Sequence, residues 1–212
     1  MLWLTGCAQH RQPPPSNTTN ISSLWAAHHA RIKALNNWQA KGKLGYNSSS
    51  NKGSAWFDWT QKNEEFTLYL SGPIGIGTTT IHGNARLVTL DKPGEVNIQA
   101  PSPDQLANTL FGFHLPLTQL RYWVKGIPAP GPSTIEAFNA QGLASKFKQD
   151  GWAISVQNHQ HYANIPLPGK IVAKGQGLVF TMILKKWQAQ SSTQQNTPSR
   201  QQKPLSRQQP SS

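Results

Sequence analysis

Apolar and polar residues alternate with a period of two in about eleven stretches of the chain, and this pattern constrains the fold more than any other feature. Stretches that begin at Trp38, Ala55 and Phe66 each place large apolar residues on every second position. Because successive side chains of a strand point to opposite faces, each stretch predicts a strand with one buried face. The turn sequence Asp150-Gly151 predicts a hairpin. We therefore expect an antiparallel meander.

Three helices are predicted beside these strands. Residues 23–36 have helical spacing with Ser23 as the capping residue, and residues 102–112 begin with a capping box at Ser102. Pro116 begins a third, shorter segment. A large open sheet curls, and helices can cover its concave face. The residues therefore predict a mainly β fold with a helical layer on one side of the sheet.

The net charge of the chain limits the kinds of molecule that it can bind. Its 212 residues carry a formal net charge of +12, and 13% of them are charged against 36% hydrophobic. No stretch approaches the ~18 consecutive apolar residues that span a bilayer, which excludes an integral membrane protein. Arg11 and three cations after residue 189 leave +8 on the body. Such a surface attracts nucleic acid, anionic lipid headgroups or an acidic protein, and charge alone does not choose among them.

Catalytic residues are scarce in the sequence. The acids lie mostly in predicted turns or at element ends, and Glu64 and Glu65 would point to opposite faces of a strand. His159 and His161 share a face, but no third ligand lies nearby, so we interpret them as a solvated strand end rather than a metal site. The glycines of residues 72–77 precede no helix that would hold a phosphate. We expect no enzymatic activity, no cofactor and no metal.

The N-terminus resembles a bacterial lipobox, in which a peptidase cuts before a lipid-modified cysteine. Residues 4–7 read LTGC, and Cys7 is the only cysteine of the chain. The alternative is an incidental cysteine in a frayed end. A signal peptide needs an apolar stretch of ~7 to 15 residues, and only six residues precede Cys7, so we expect the recorded start to be internal. Ala8 stands where an aspartate would favour the inner membrane, so the resemblance implies the outer membrane.

One predicted turn is unusually apolar. Residues 72–77 read GPIGIG, where hairpin turns normally carry Asn, Asp or Ser. Either this loop folds back onto the core, or it is an exposed prong that enters a membrane or a hydrophobic partner, since exposed apolar patches usually mark such sites. The candidate insertion loop consists of Pro73, Ile74, Gly75 and Ile76.

Seven sequence blocks resemble, in order, the LolB family of outer-membrane lipoprotein receptors, and the similarity runs from about Trp25 to Trp187. Members of that family are themselves lipoproteins and insert other lipoproteins into the outer membrane, so the body and the lipobox support each other independently. The family's protruding loop carries a bulky aliphatic residue between Pro and Gly, which here corresponds to Ile74. The blocks are WQAKGKLGY (38–46), AWFDWTQ (55–61), LYLSGPIG (68–75), APSPDQL (100–106), GFHLPLTQLRYWVKGIP (112–128), KQDGWAISV (148–156) and IPLPGKI (165–171).

The resemblance implies an incomplete, half-open antiparallel β-barrel of about eleven strands, with helices covering an apolar cavity. The side chains expected to line this cavity lie on the inward faces of the strands and on the lid helices. They are Leu44, Tyr46, Phe57, Trp59, Leu68, Leu70, Leu106, Leu110, Leu117, Leu120, Trp123, Trp152, Ile154 and Val156. For each of them the alternative is ordinary core packing, which parity along a strand does not distinguish from a cavity wall.

The resemblance also implies how the chain is organised and what it does. We expect a truncated signal remnant at 1–6, a lipidated N-terminus and flexible linker at 7–22, a LolB-like lipid-binding domain at 23–188 and a disordered Gln/Ser/Pro-rich tail at 189–212. The implied function is a receptor, anchored in the outer membrane of a Gram-negative bacterium and facing the periplasm, that takes acylated lipoproteins from a soluble LolA-like carrier. We expect a monomer that binds no nucleic acid.

Two other classes of function stay open at this point. A lipocalin-like carrier of small lipids would share the strand count. A nucleic-acid-binding module would explain the positive charge, although no DNA- or RNA-binding motif accompanies the scattered lysines and arginines. Retention of free fatty acids but not of acylated protein would favour the first class, and a salt-dependent affinity for oligonucleotides would favour the second.

Overall fold

The computed structural model describes residues 17–49, 52–72, 77–111 and 116–190. This part of the chain contains helices α1 (Asn17–Lys33), α2 (Pro103–Phe111) and α3 (Leu117–Trp123). Its strands are β1 (Asn37–Ser48), β2 (Lys52–Lys62), β3 (Glu65–Gly72), β4 (Gly77–Gly83), β5 (Val88–Asp91), β6 (Ile98–Ala100), β7 (Thr134–Phe138), β8 (Ala144–Gln149), β9 (Trp152–Gln157), β10 (Gln160–Tyr162), β11 (Ile165–Leu167), β12 (Lys170–Gly175) and β13 (Leu178–Gln190).

Eleven of these strands form one antiparallel sheet in the order β6-β5-β4-β3-β2-β1-β13-β12-β9-β8-β7. The pair β1 and β13 lies near its centre, and the two halves of the chain extend to either side. The edge strands β6 and β7 do not pair with each other, so the sheet is open. This arrangement confirms the expected incomplete barrel. The sequence does not predict the separate hairpin of β10 and β11, because strands of three residues show too little alternation.

Two hairpin turns have a backbone that suits antiparallel strands. Asp150 and Gly151, between β8 and β9, have φ angles of 49° and 77°. Gln176 and Gly177, between β12 and β13, have φ angles of 53° and 73°. Positive φ at both central residues is typical of the type I′ turn, whose twist matches that of the flanking strands. The hairpin predicted from Asp150-Gly151 is therefore confirmed.

The helices agree with the sequence prediction at α2 and differ from it at α1. The Ser102 hydroxyl accepts a hydrogen bond from the Gln105 amide at 3.2 Å, which is the capping contact that the sequence predicts for α2. α1 begins at Asn17, so the predicted start at Ser23 is wrong. Because the Ser23 hydroxyl donates to the Asn20 carbonyl at 2.9 Å, it bonds back to the preceding turn instead of capping a helix.

The concave face of the sheet holds the hydrophobic core. Trp59 of β2 and Trp187 of β13 pack on either side of Trp38 of β1, with ring centroids 5.2 and 5.6 Å from that of Trp38. In the other half of the sheet, Trp123 of α3 contacts Trp152 of β9 at 6.1 Å between centroids. All five rings are buried in one continuous cluster, so the two halves share a single apolar interior.

A buried glutamine joins α3 to the sheet. Gln149, the last residue of β8, accepts hydrogen bonds from the Trp123 indole at 2.9 Å and from the Ala129 amide at 2.8 Å. Its own amide donates to the Ala129 carbonyl at 2.9 Å. Because both ends of a buried polar side chain need partners, this network fixes where the end of α3 and the following loop lie on the sheet.

A buried lysine holds the C-terminal end of α1. The Lys125 Nζ donates to the carbonyls of Ile32 and Leu35 at 3.2 and 3.0 Å. Ile32 is in the last turn of α1 and Leu35 lies two residues beyond the helix, so the ammonium group binds carbonyls at and just after the helix end. Burial lowers the pKa of Lys125 to about 8, because a charged amine is disfavoured away from water. Lys125 therefore positions α1 against the loop that follows α3.

A β-bulge interrupts the central pairing of β1 with β13. The register shifts at Gly42, which pairs with Leu184 and leaves Lys185 as an extra residue on β13. Lys185 and Lys186 are therefore exposed in succession. Gly42 approaches β13 so closely that a methyl group on it would overlap the carbonyl oxygen of Ile183. The bulge thus requires glycine at position 42.

Gly42→Ala should lower the free energy of unfolding by roughly 2 to 3 kcal/mol, because the added methyl group displaces the β13 backbone at the centre of the sheet. Gly45→Ala is the matched control, since a Cβ on that residue of the same strand would lie 3.5 Å from the Gly53 carbonyl oxygen, an ordinary contact. Urea denaturation measures both variants. Equal stabilities of the two would contradict the role assigned to Gly42.

His28 makes the attachment of α1 sensitive to acid. Burial lowers its pKa to about 4, and nearby His159 and His29 add to the effect. The unfolded chain, with an ordinary histidine pKa of 6.5, binds more protons than the folded chain between these two values. The contribution of neutral His28 to stability is therefore complete above pH 6.5 and is lost as the pH falls toward 4.

Between about pH 7 and about pH 4, the free energy of unfolding should fall by roughly 2 kcal/mol more in the unsubstituted protein than in His28→Gln. Chemical denaturation at a series of pH values measures this difference. His161→Gln is the control, because His161 is exposed. A His28→Gln variant that loses stability in acid as steeply as the parent protein would rule out this origin of the pH dependence.

Candidate functional site

A small apolar pocket lies on the concave face, at the end of the sheet where β2 turns into β3. It encloses about 30 Å³, room for about two water molecules. Side chains of β2 and β3 form one wall, and α3 with the start of α2 forms the other. Its lining residues are Trp59, Gln61, Glu64, Phe66, Leu68, Asn84, Ala85, Pro103, Leu117, Thr118 and Arg121. The helices therefore narrow this space, which remains partly open to solvent.

Gln61 is the buried polar residue in the pocket wall, and its hydrogen bonds are directed away from the apolar space. Its amide donates to the carbonyls of Asn63 and Glu65 at 2.9 and 3.1 Å. Its side-chain oxygen accepts a bond from the Trp59 indole at 3.3 Å. With these groups satisfied by the turn and the neighbouring strand residue, the wall formed by Trp59, Phe66 and Leu68 remains apolar.

A charged contact closes the rim of the pocket. The Arg121 guanidinium of α3 donates to both carboxylate oxygens of Glu64, at 2.8 and 3.2 Å. It also donates to the Tyr122 hydroxyl at 2.8 Å. The hydrogen bonds from Arg121 lower the pKa of Glu64 below its ordinary value. This two-pronged pair connects the lid helix α3 to the β2–β3 turn, on the opposite wall.

A second polar contact connects the two lid helices. Asp104 in the first turn of α2 accepts hydrogen bonds from the Thr118 amide at 2.9 Å and from the Thr118 hydroxyl at 3.2 Å. Thr118 is the second residue of α3. The carboxylate at the start of α2 therefore accepts from an amide at the start of α3, which has no partner within its own helix. α2 and α3 are thus joined as a unit.

A second recess lies beside the same lid, between α1, the loop after α3 and β7. It encloses about 280 Å³. Its lining residues are Trp25, His29, Lys33, Tyr122, Ile127, Pro128, Ala129, Pro130, Gly131, Ser133 and Ile135. Tyr122 lines this recess and its neighbour Arg121 lines the first pocket, so the end of α3 separates the two spaces.

Within residues 17–49, 52–72, 77–111 and 116–190, no helix has both the length and the hydropathy needed to cross a bilayer. Within the same ranges, no three His, Cys, Asp or Glu side chains lie together as metal ligands would.

Comparison with known proteins identifies the family. Residues 36–187 match the family model described as outer membrane lipoprotein LolB. The outer-membrane lipoprotein LolB of Cellvibrio japonicus is 37% identical over 192 residues, which cover 87% of this chain and 91% of that protein. The chain belongs to the LolB family. The LolB of Stutzerimonas stutzeri is 31% identical over 187 residues, covering 88% of this chain and 91% of that protein.

The fold of this LolB-family chain is also similar to that of a solved structure. A DUF1329 family protein from Desulfovibrio piger superposes with a TM-score of 0.52, over 82% of this chain and 93% of the other. The two sequences are 6% identical. A likeness at this level of identity shows a shared architecture and no more.

The expected cavity residues of this LolB domain lie partly at the small pocket and partly in the core. Trp59, Leu68 and Leu117 line the small pocket. Leu44 is partly buried and packs against the core. The other expected residues whose side chains are described are buried in the continuous core: Tyr46, Phe57, Leu70, Leu106, Leu120, Trp123, Trp152, Ile154 and Val156. With the lid closed, most inward side chains therefore pack against one another.

Several predicted sites lie outside the described residues. These are Cys7, the loop of residues 73–76 and the Leu110 side chain. The strands on either side of the loop are described, and Gly72 at the end of β3 pairs with Gly77 at the start of β4. Residues 73–76 therefore connect these strands at the end of the sheet opposite the β2–β3 turn.

The polar rim was missed by sequence reasoning. Arg121 and Glu64 are 57 residues apart, on a helix and in a turn, so no periodicity connects them. Phe66 lines the pocket but is absent from the expected set, although it shares the parity of Leu68 along β3 and this signal could have found it. Asp104 follows the predicted capping residue Ser102, but its contact with Thr118 depends on how two helices approach each other.

Arg121→Gln should speed the uptake of a radiolabelled fatty acid about fivefold, because an ion pair at the surface is worth up to about 1 kcal/mol and its loss lowers the cost of moving the lid. Filter-binding kinetics measure the uptake rate. Lys148→Gln is the control, since it breaks an ion pair with Glu136 on the outer face of the sheet. Equal rates for Arg121→Gln and the parent protein would show that the pair does not hold the lid closed.

Proposed function

We propose that this protein is a receptor, anchored in the outer membrane, that accepts lipoproteins from a soluble LolA-like carrier in the periplasm and inserts them into that membrane. The observation that carries this proposal is the match to LolB over residues 36–187, together with relatives named outer-membrane lipoprotein LolB. The positive charge left a nucleic-acid binder open, and the strand count left a lipocalin-like carrier open. Both features are compatible with membership of this family. Neither alternative has a further observation in its favour.

The apolar space between sheet and helices supports the binding of acyl chains. Each methylene withdrawn from water is worth ~0.8 kcal/mol, so an anchor of two or three chains does not cross the aqueous periplasm unshielded. The closed pocket of about 30 Å³ is too small for such a chain, which requires the lid to move. The acyl chain then covers the apolar side chains that opening exposes, so the hydrophobic free energy lost on opening is regained on binding.

The contacts of the lid suggest how it moves. α2 and α3 are joined through Asp104 and Thr118, so they swing together. The Arg121–Glu64 pair spans the rim and breaks when they do. Both groups reach water on opening, and the cost of separating a surface ion pair is small compared with the burial of a whole chain. The rim therefore tolerates repeated opening.

Transfer is a competition between binding sites in which no covalent bond is made or broken. Acceptance requires a higher affinity for the acyl chains than the carrier has, and release requires the bilayer to bind them more strongly still. No ATP, metal or cofactor takes part in this scheme. The receptor acts as a monomer and has no enzymatic activity.

The anchor is a lipid on Cys7, the cysteine of the LTGC sequence. Removal of residues 1–6 makes Cys7 the first residue of the mature chain, and residues 7–22 lead into the lipid-binding domain at 23–188. α1 begins at Asn17, so residues 17–22 of the expected linker are helical. β13 includes residues 189 and 190, so the domain extends two residues into the tail expected at 189–212.

The loop of residues 73–76 is proposed to enter the membrane leaflet at delivery. Ile74→Glu should leave folding and acceptance from the carrier intact and reduce delivery to membranes at least tenfold, because a carboxylate is costly in the leaflet. Val96→Glu is the matched control, since Val96 is a 91% exposed apolar residue between β5 and β6. Incorporation of a reporter lipoprotein into outer-membrane vesicles is measured.

Mass spectrometry of each purified variant provides a check on the anchor, because a triacylated Cys7 must be present for the comparison to be valid. Normal delivery by Ile74→Glu would overturn the role of the loop. Equal loss in Val96→Glu and Ile74→Glu would show a general effect of added negative charge instead.

A further inference from the structure

Three large apolar side chains are exposed together on the outer, convex face of the sheet. Trp56 of β2 is 48% exposed, Tyr69 of β3 is 51% exposed and Ile183 of β13 is 43% exposed. Lys43 of β1 pairs with both Trp56 and Ile183, so these residues lie in one row across three adjacent strands. Tyr69 lies on the next strand. A group of this kind on a monomer usually marks an interaction surface.

Two lysines cover the exposed tryptophan. The Nζ atoms of Lys43 and Lys185 lie 5.9 and 4.7 Å from the centroid of the Trp56 ring. Lys185 is the extra residue of the β-bulge, so the irregularity that requires Gly42 also directs this second cation outward. Neither lysine belongs to an ion pair in the described part of the chain. We call Lys43, Trp56, Tyr69, Ile183 and Lys185 the lysine–tryptophan patch.

The surroundings of the patch are strongly basic. Acids on the convex face are mostly neutralised, because Asp58 pairs with Lys41 and Glu136 pairs with Lys148. Further exposed or partly exposed lysines point outward from the same face: Lys52, Lys62, Lys146, Lys170, Lys174 and Lys186. The face therefore presents an excess of positive charge around an aromatic centre.

We propose that the lysine–tryptophan patch docks the domain on an anionic phospholipid surface. Tryptophan and tyrosine side chains favour the headgroup level of a bilayer, where their rings contact the acyl boundary and their polar edges stay hydrated. Lysine stems cover apolar surface while their ammonium groups reach the phosphates. Lipid phosphates are mobile and can gather around lysines that have no fixed acidic partner. The patch therefore suits a lipid surface better than a rigid protein surface.

The position of the patch along the strands agrees with this partner. Trp56 pairs with Ser71, which is followed by Gly72, where β3 ends and residues 73–76 begin. The patch is thus next to the loop for which we propose insertion, and the inference rests on that proposed function. Glu64 precedes β3 at its other end, roughly 25 Å away for a strand of eight residues. Docking through the patch therefore leaves the pocket rim facing away from the lipid.

Binding to vesicles tests the inference without the lipid anchor. The full chain carrying Cys7→Ala is sedimented with vesicles of phosphatidylcholine alone or mixed with phosphatidylglycerol. We expect binding to the mixed vesicles, and Lys43→Gln with Lys185→Gln should weaken it about 30-fold, since each lysine near an anionic leaflet contributes roughly a factor of five. Arg31→Gln with Lys33→Gln removes the same charge from α1 and should change it little.

A third variant separates the aromatic contribution from the charge. Trp56→Ser should weaken binding to the mixed vesicles about tenfold while leaving its dependence on salt unchanged, because it removes apolar contact and no charge. Circular dichroism of each variant confirms that the sheet is folded. All substituted side chains of the patch are exposed, so the variants retain the core.

Three results would overturn the inference. One is the absence of binding to phosphatidylglycerol vesicles, and another is an equal loss in the α1 control. The third is a lysine variant that binds vesicles normally but no longer accepts a reporter lipoprotein from the carrier, which would assign the patch to an acidic protein. Failure of the proposed function would look different, because the anchored, unsubstituted protein would then accept no lipoprotein while vesicle binding persisted.

Discussion

The antiparallel pairing of β1 with β13 is the contact on which the rest of this structure depends. These strands come from opposite ends of the domain, residues 37–48 and 178–190, and each begins a meander that extends to one edge of the sheet. Closing so long a loop is entropically costly and slow, and the buried Trp38 and Trp187 rings across the seam provide the apolar contact that offsets it. This pair is the backbone connection between the two halves of the sheet.

The lid region combines an apolar interior with polar contacts that fix its position. The apolar side chains beneath the helices pack without directional bonds, so they do not fix the position of the lid. Gln149 and Lys125 fix it through hydrogen bonds to specific partners. The Arg121–Glu64 ion pair does the same at the rim. These polar contacts differ in burial. Gln149 and Lys125 are buried and hold the base of the lid and α1, while Arg121 and Glu64 meet at the rim, where water replaces the contact at little cost. A layer held in this way opens from the rim.

Local patterns of the sequence predict much of this fold, because strand parity, the Ser102 cap and the Asp150-Gly151 turn are decided by residues near one another. The start of α1 and the β10–β11 hairpin were missed because their local signals are weak. The pocket rim and the bulge were missed for a different reason. They depend on pairs such as Arg121 with Glu64 and Gly42 with Leu184, which only the folded sheet brings together. Parity placed Trp59 and Leu68 inward, but how far the lid closes over them is a property of packing.

The uneven distribution of tryptophan between the two faces of the sheet gives the molecule optical reporters of its own. Five indoles are buried on the concave side and should emit at short wavelength, whereas Trp56 on the convex side meets solvent. Trp56 is also the ring beneath two ammonium groups, so its emission responds to whatever replaces water there. Movement of the lid would change the energy transfer between Trp123 of α3 and Trp152 of β9. Intrinsic fluorescence can thus report on both faces of the sheet, with no label attached.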